Sequence, residues 1–197
     1  MRHLTRLAVA LAATFLALPA SAATIVFFTT MDGPSEAPPI ASPGTGWARV
    51  TFDDVALTML VQSAFEDLVG TTTVAHIHCC TAVPEVGNVG VATQPGTFLG
   101  WPVGVTSGSY ENTFDMSLNA SYTAGFLGAN GGTAAGAFAG LIAGLEAGRG
   151  YFNVHSSFAP GGEIRGFLSR VPEPGALVLI GLGLVIVALA TRRRRTD

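Results

Sequence analysis

Two short stretches carry residues that could do chemistry. Ala75-His76-Ile77-His78 holds two imidazoles at i and i+2, and Tyr151-Phe152-Asn153-Val154-His155 holds an amide and a third imidazole at the same spacing. On a strand, residues i and i+2 share a face. His76 and His78 therefore point one way, and Ala75 and Ile77 the other. Asn153 and His155 share a face in the same manner, with Phe152 and Val154 turned inward. In Gly162-Glu163-Ile164-Arg165-Gly166 the rule turns Ile164 inward and Glu163 and Arg165 outward. If the three strands are neighbours, their polar residues meet. Neutral imidazole is a good ligand for Zn or Cu, and two histidines at i, i+2 plus a third make a three-nitrogen site. His76, His78 and His155 are thus candidate metal ligands, with Zn or Cu as the ion. The other reading of the same residues is structural: hydrogen bonds across adjacent strands, with Glu163 or its neighbours pairing Arg165.

Cys79 and Cys80 follow the histidine pair directly. Adjacent cysteines cannot staple distant strands. In an oxidising compartment they can form a vicinal disulfide, pair between molecules, or stay thiols beside His78. Other catalytic patterns are missing: there is no G-x-S-x-G, no Walker loop, no C-x-x-C and no H-E-x-x-H. The chain reads as non-enzymatic. Trp47, Trp101, Tyr110 and Tyr122 could make a carbohydrate platform, or they could be core.

The elements that must position these residues read mostly as strand and turn. Thr24 to Met31, Trp47 to Phe52, Ala56 to Gln62, Thr72 to Cys79, Thr113 to Leu118, Tyr151 to His155 and Glu163 to Leu168 are β-rich runs punctuated by Gly, Pro and Asp. Asp53-Asp54 reads as a turn, and Phe114, Met116 and Leu118 as one face of a strand. Short strands at this spacing argue for a mostly β fold, an antiparallel sandwich or barrel. One or two short helices accompany it. The clearest is Thr133 to Ala147, where Phe138, Leu141, Ile142 and Leu145 recur at helical spacing before Gly148. Gly136, Gly140 and Gly144 suit close packing of that helix against a sheet. Gly87 to Gly108 reads as a long loop.

Of 197 residues, 49% are hydrophobic and 12% charged, with ten Arg and no Lys. That charge is low beside the roughly 25% of ordinary domains. Six arginines lie in the two ends. The first 22 residues read as a secretory signal peptide: Arg2 and Arg6, an apolar run from Leu7 to Leu18, and Ala20-Ser21-Ala22 for cleavage between Ala22 and Ala23. Residues 175–191 carry no charge and would make about 25 Å of helix, at the short limit for crossing a bilayer. Arg192 to Arg195 follow and would keep the C-terminus inside. Between these ends, residues 23–170 carry eleven acids against four arginines, a net charge of −7. An acidic domain repels nucleic acid and anionic lipid headgroups, so nucleic acid is not an expected partner.

Two resemblances extend this reading. Gly33-x-x-Glu36-x-Pro38-Pro39, Ala75-His76-Ile77-His78, Tyr151-Phe152-Asn153-Val154-His155 and Pro160-Gly161-Gly162-Glu163-Ile164-Arg165-Gly166 resemble, in order and spacing, the CHRD domain, an extracellular and mostly β module. Cys79-Cys80 stands where that family usually has Gly. Residues 171–197 resemble the PEP-CTERM sorting signal of Gram-negative bacteria: the motif Pro172-Glu173-Pro174, the short apolar helix, then the Arg cluster. That resemblance implies an exosortase, a membrane protease, as partner, a transient inner-membrane anchor, removal of the tail near the motif, and a cell-surface or secreted product often found with extracellular polysaccharide. The expected organisation is signal peptide 1–22, CHRD-like domain 23–170 and sorting signal 171–197. The expected function is an envelope or matrix component working by binding. A metal-dependent redox protein and a carbohydrate binder are the alternatives.

Overall fold

The computed structural model describes residues 24–172 and 179–184. The expected signal peptide with its Ala22–Ala23 cleavage point, Glu173 and Pro174 of the motif, and Arg192 to Arg195 lie outside the described residues. Eight strands form one antiparallel sheet: β1 (Thr24–Asp32), β2 (Thr45–Asp53), β3 (Thr58–Glu66), β4 (Thr72–Cys79), β5 (Gly108–Asp115), β6 (Gly150–Ser156), β7 (Ile164–Phe167) and β8 (Ser169–Arg170). Their order is β4-β6-β7-β1-β2-β3-β5, with β8 also on β1. The sheet curls into a half-barrel rather than splitting into a sandwich or closing into a barrel.

Alternation sets the faces. Phe27, Met31, Ala48, Val50, Phe52, Met59, Val61, Ile77, Phe152, Val154 and Ile164 line the inner face and are buried. The inward assignment of Ile77, Phe152, Val154 and Ile164 therefore holds, each at 0% exposure. A curled sheet leaves its inner face open, and two pieces fill it. The irregular 96–102 segment inserts Phe98, whose ring lies 5.4 Å from both Phe114 and Phe152, and Trp101, 5.4 Å from Phe65. Helix α2 (Ala134–Glu146) adds Phe138, 5.8 Å edge-on from Phe52. Burying one such ring contributes about 1.5–3 kcal/mol.

Helix α2 falls where the sequence places it. Thr133 caps it, its hydroxyl accepting from the Gly136 N–H at 3.1 Å, and Gly148 ends it at φ +67°. Its glycines have particular neighbours: a Cβ at Gly140 would strike the Asn130 side chain, and one at Gly144 would strike Cys80 Sγ. Asn130 caps the short α1 (Ala124–Ala129). Cys79 and Cys80 are joined as a vicinal disulfide, which decides among the three alternatives for them.

One expectation needs correction. The strand expected at Thr113 to Leu118 is β5, and it stops at Asp115, whose carboxylate accepts from the Ser117 N–H at 2.9 Å and its hydroxyl at 2.6 Å. The chain turns there, so Met116 enters the core while Leu118 is 52% exposed. At the C-terminus, no helix of the described residues is long and apolar enough to cross a membrane. Residues 179–184, inside the expected 175–191 span, are helical, with Leu179, Ile180, Leu182 and Leu184 exposed.

Candidate metal centre

Strands β4, β6 and β7 are neighbours, so the rows of side chains on their outer face are continuous. His76 lies opposite Asn153, which lies opposite Arg165; His78 lies opposite Tyr151, which lies opposite Phe167. His155 stands two residues beyond Asn153. The structure brings the three histidines together: ring centroids are 4.6 Å apart for His76 and His78, 4.7 Å for His76 and His155, and 5.9 Å for His78 and His155. One nitrogen of each lies within 4.8 Å of the others. Ligands at about 2.05 Å around a tetrahedral ion are about 3.3 Å apart. The nitrogens need to close by about 1.5 Å at most to reach that spacing, a matter of ring rotation.

That outer face is not open to solvent here. His76, His78 and His155 are 6%, 8% and 7% exposed, and Asn153 and Arg165 are buried with them. Loops from three parts of the chain roof the site, and Arg165 holds two of them. Its Nε donates to Ser35 O, its NH1 donates to Asn88 Oδ1 at 2.6 Å and to Gly87 O at 3.2 Å, and Glu36 lies 3.8 Å away. Asn88 donates onward to Ala37 O at 2.6 Å. The guanidinium lies over the Tyr151 ring at 4.8 Å. The third roof piece is the Pro160-Gly161-Gly162 turn. Gly162 has φ +129°, and a Cβ there would come within 2.6 Å of Asn153 Oδ1 and Glu36 Oε1, so no larger residue fits. Between the 36–40 and 158–162 segments runs a cleft of 300 Å³.

The hydrogen bonds set which nitrogens are free. His78 Nδ1 is 2.7 Å from Val89 O, and His155 Nδ1 is 2.9 Å from Pro160 O. A carbonyl only accepts, so Nδ1 carries the proton in each and Nε2 keeps its lone pair. Both Nε2 atoms are buried without a partner, as are both nitrogens of His76. Buried polar atoms are ordinarily satisfied, and four unpartnered ring nitrogens in one cluster require an explanation. Metal-ligating histidines have this arrangement, with the second nitrogen held by a backbone carbonyl.

Electrostatics keeps the rings neutral, as ligands must be. Burial, followed by the nearby His78 and His155, lowers His76 from 6.5 to about 3 against the weaker pull of the Gly96 backbone. Burial lowers His78 to about 4 against the pull of the Val89 carbonyl, and burial lowers His155 against that of Pro160. Glu36 moves the other way: burial raises it to about 7, although Arg165 and the Ala37 N–H pull it down. Depressed histidines mean that the unfolded chain binds protons which the native chain refuses. Their contribution is complete above about pH 6.5 and is lost as pH falls towards 4, by up to about 1.4 kcal/mol per pH unit per proton. Glu36 has the opposite sign between 4.5 and 7, but it is one group against three. The melting temperature of metal-free protein should therefore peak near pH 6.5–7 and fall steeply towards pH 4. A flat profile across that range contradicts the burial of the histidines.

Three sequence assignments do not meet the site. Glu163 is fully buried but turns away from it: it accepts from Ser42 Oγ and the Val69 N–H, both at 2.6 Å, from the Gly70 N–H at 3.2 Å, and from Ser156 Oγ. Burial alone would raise its pKa, yet those four donors hold it below the ordinary value. The partner of Arg165 is Glu36, not Glu163. Trp101, Tyr110 and Tyr122 are core residues, and only Trp47 of the four aromatics is exposed, so they form no common platform. Sequence reasoning missed Glu36, Asn88, Val89, Tyr151 and Pro160 as parts of the site. Tyr151 was within reach, since it shares the period of Asn153 and His155.

Comparison with known families gives two matches. A model described as the CHRD domain covers residues 27–168, and one described as the PEP-CTERM protein-sorting motif covers residues 170–195. No curated protein and no solved structure matches the chain.

Proposed function

The chain belongs to the CHRD domain family and ends in a PEP-CTERM sorting motif, and from that premise we propose that it is an envelope component whose CHRD domain binds one Zn or Cu ion through His76, His78 and His155. The sorting motif makes it an exosortase-sorted extracellular protein of a Gram-negative bacterium, at the cell surface or secreted. A signal peptide ends at Ala22, and residues 23–170 form the exported domain. Residues 175–191 anchor it in the inner membrane until the protease cuts near Pro172-Glu173-Pro174.

The observation that carries the metal reading is the set of unpartnered ring nitrogens on three neutral, buried histidines. His76 Nδ1 or Nε2, His78 Nε2 and His155 Nε2 would hold the ion, with Val89 O and Pro160 O fixing two of the rings. The roof keeps the ion from bulk solvent, which suits binding better than turnover of a large substrate. Chelator-treated mature protein should take up one Zn or Cu per chain at neutral pH, and its melting temperature should rise with metal concentration. Uptake should persist through pH 6.5, because the buried rings stay neutral there, and fade as pH falls towards about 4, where protons compete for the same nitrogens. No thermal shift with either metal, in protein with the Cys79–Cys80 disulfide intact, leaves the cluster structural.

Processing has its own test. Mature protein from a host with an exosortase should lack the residues after about Pro174. An intact mass that still includes Arg192 to Arg195 contradicts the processing scheme.

A further inference from the structure

The outer face of the sheet has two halves. Over β4, β6 and β7 it is roofed and holds the histidines. Over β1, β2 and β3 no loop among the described residues covers it, and it carries two large exposed rings. Phe28 and Trp47 are 40% and 39% exposed, with planes within 20° and centroids 6.3 Å apart. They lie in a shallow groove of 780 Å³ lined by Val26, Phe28, Trp47, Arg49, Gln62 and Val171. Arg49 lies opposite Phe28 in register, is exposed, and makes no ion pair among the described residues.

The same groove is where the domain ends. β8 lies on β1 with Ser169 opposite Phe28, and the Val171 N–H donates to Val26 O at 2.8 Å. Val171, itself 40% exposed, is one wall of the groove. From Val171 to Ala176, the first residue of the apolar run, is five residues, at most about 18 Å of extended chain.

We propose that this Phe28–Trp47 face rests on the periplasmic surface of the inner membrane while the tail is uncut, and so holds the Pro172–Pro174 segment at the bilayer for the exosortase. The inference rests on the membrane-anchored tail proposed above. An apolar segment within about 18 Å of the groove gives the face a high effective concentration at the lipid surface, so a small contact suffices. Trp and Phe favour the headgroup boundary, and Arg49 can meet a lipid phosphate while its stem lies along apolar surface. The domain's negative charge opposes binding: Asp32, Glu66, Asp53 and Asp115 stand at the strand ends around this face, and Glu111 is held by Gln62. Cutting the tail therefore removes the reason to stay, and the trimmed domain should leave the membrane.

The test uses the tail-bearing mature chain in vesicles of phosphatidylethanolamine and phosphatidylglycerol with acyl chains brominated close to the headgroup. Trp101 is 5% exposed in the core, so lipid-dependent quenching reports Trp47. Resistance to alkaline extraction separately reports tail insertion. Expected are an inserted tail, loss of roughly half the Trp47 emission, no lipid-dependent quenching in Trp47→Phe, and none in the trimmed product. An inserted tail with unquenched Trp47 overturns the docking face and leaves the anchored tail standing. A tail extracted by alkali overturns both. Equal quenching of the trimmed product overturns the role of the tether. Shielding of Trp47 that grows with protein concentration and needs no lipid points to a second copy and also overturns the proposal.

Discussion

His76→Ala, His78→Ala and His155→Ala should each abolish the metal-dependent rise in melting temperature. Metal at about 100 to 1,000 times its Kd stabilises a one-site protein by about 2.7–4.1 kcal/mol. For a domain of this size that is a shift of about 5–16 °C at about 2–4 °C per kcal/mol. Two imidazoles left in a closed site hold Zn or Cu far less well than three. Without metal the variants should behave unequally. His78 and His155 each lose a bond to a backbone carbonyl, at about 1 kcal/mol apiece. His76 has no such bond to lose, because both of its nitrogens are unpartnered. Its replacement removes a buried polar ring that the metal-free protein does not satisfy, so the loss of packing is partly offset. Calorimetric titration and thermal melting of the three variants beside the parent check this. A parent-sized metal shift in any of the three would remove that residue from the ligand set.

Glu163→Ala should be among the most damaging single changes in the domain, although it touches no histidine. The carboxylate is fully buried and accepts from two hydroxyls and two backbone N–H groups, on Ser42, Ser156, Val69 and Gly70. Ala leaves those donors facing one another with nothing to accept, and each buried unsatisfied donor costs about 1–3 kcal/mol. A loss of about 3–5 kcal/mol is expected, or outright failure to fold, set against a total stability of about 5–15 kcal/mol. Glu163→Gln keeps one accepting oxygen and should lose clearly less. Because the carboxylate is held below its ordinary pKa, its stabilisation is present above about pH 4.5 and falls away as pH drops below that. Denaturant unfolding of both variants measures the difference. Equal, small losses would show that the four bonds contribute little.

The β-rich runs at Thr24, Trp47, Thr72 and Tyr151 were legible because a strand with one buried face must alternate. The helix at 133–147 was legible from its 3.6-residue period and from Gly148 at its end. The strand at Thr113 was misplaced because alternation carries through a turn that only the Asp115 side chain marks. For the same reason the side of the sheet taken by His76, His78, Asn153 and His155 could be read from spacing, and so could their meeting once the three strands were taken as neighbours. The match to a family and to a sorting motif is likewise a property of residue order.

What the sequence could not decide is what lies over that face. Period two says which residues leave the core, not whether they reach water. The roof comes from distant chain: Arg165 to Ser35 spans 130 residues, Arg165 to Gly87 spans 78, and Asn88 to Ala37 spans 51. Burial of the histidines, their lowered pKa values, the free Nε2 atoms and the inward turn of Glu163 all follow from those long-range contacts. So does the exposure of the other half, where no loop among the described residues covers Phe28 and Trp47. Local sequence determines direction because a strand's geometry is local; tertiary structure alone determines environment, because desolvation depends on whatever the rest of the chain brings against the face.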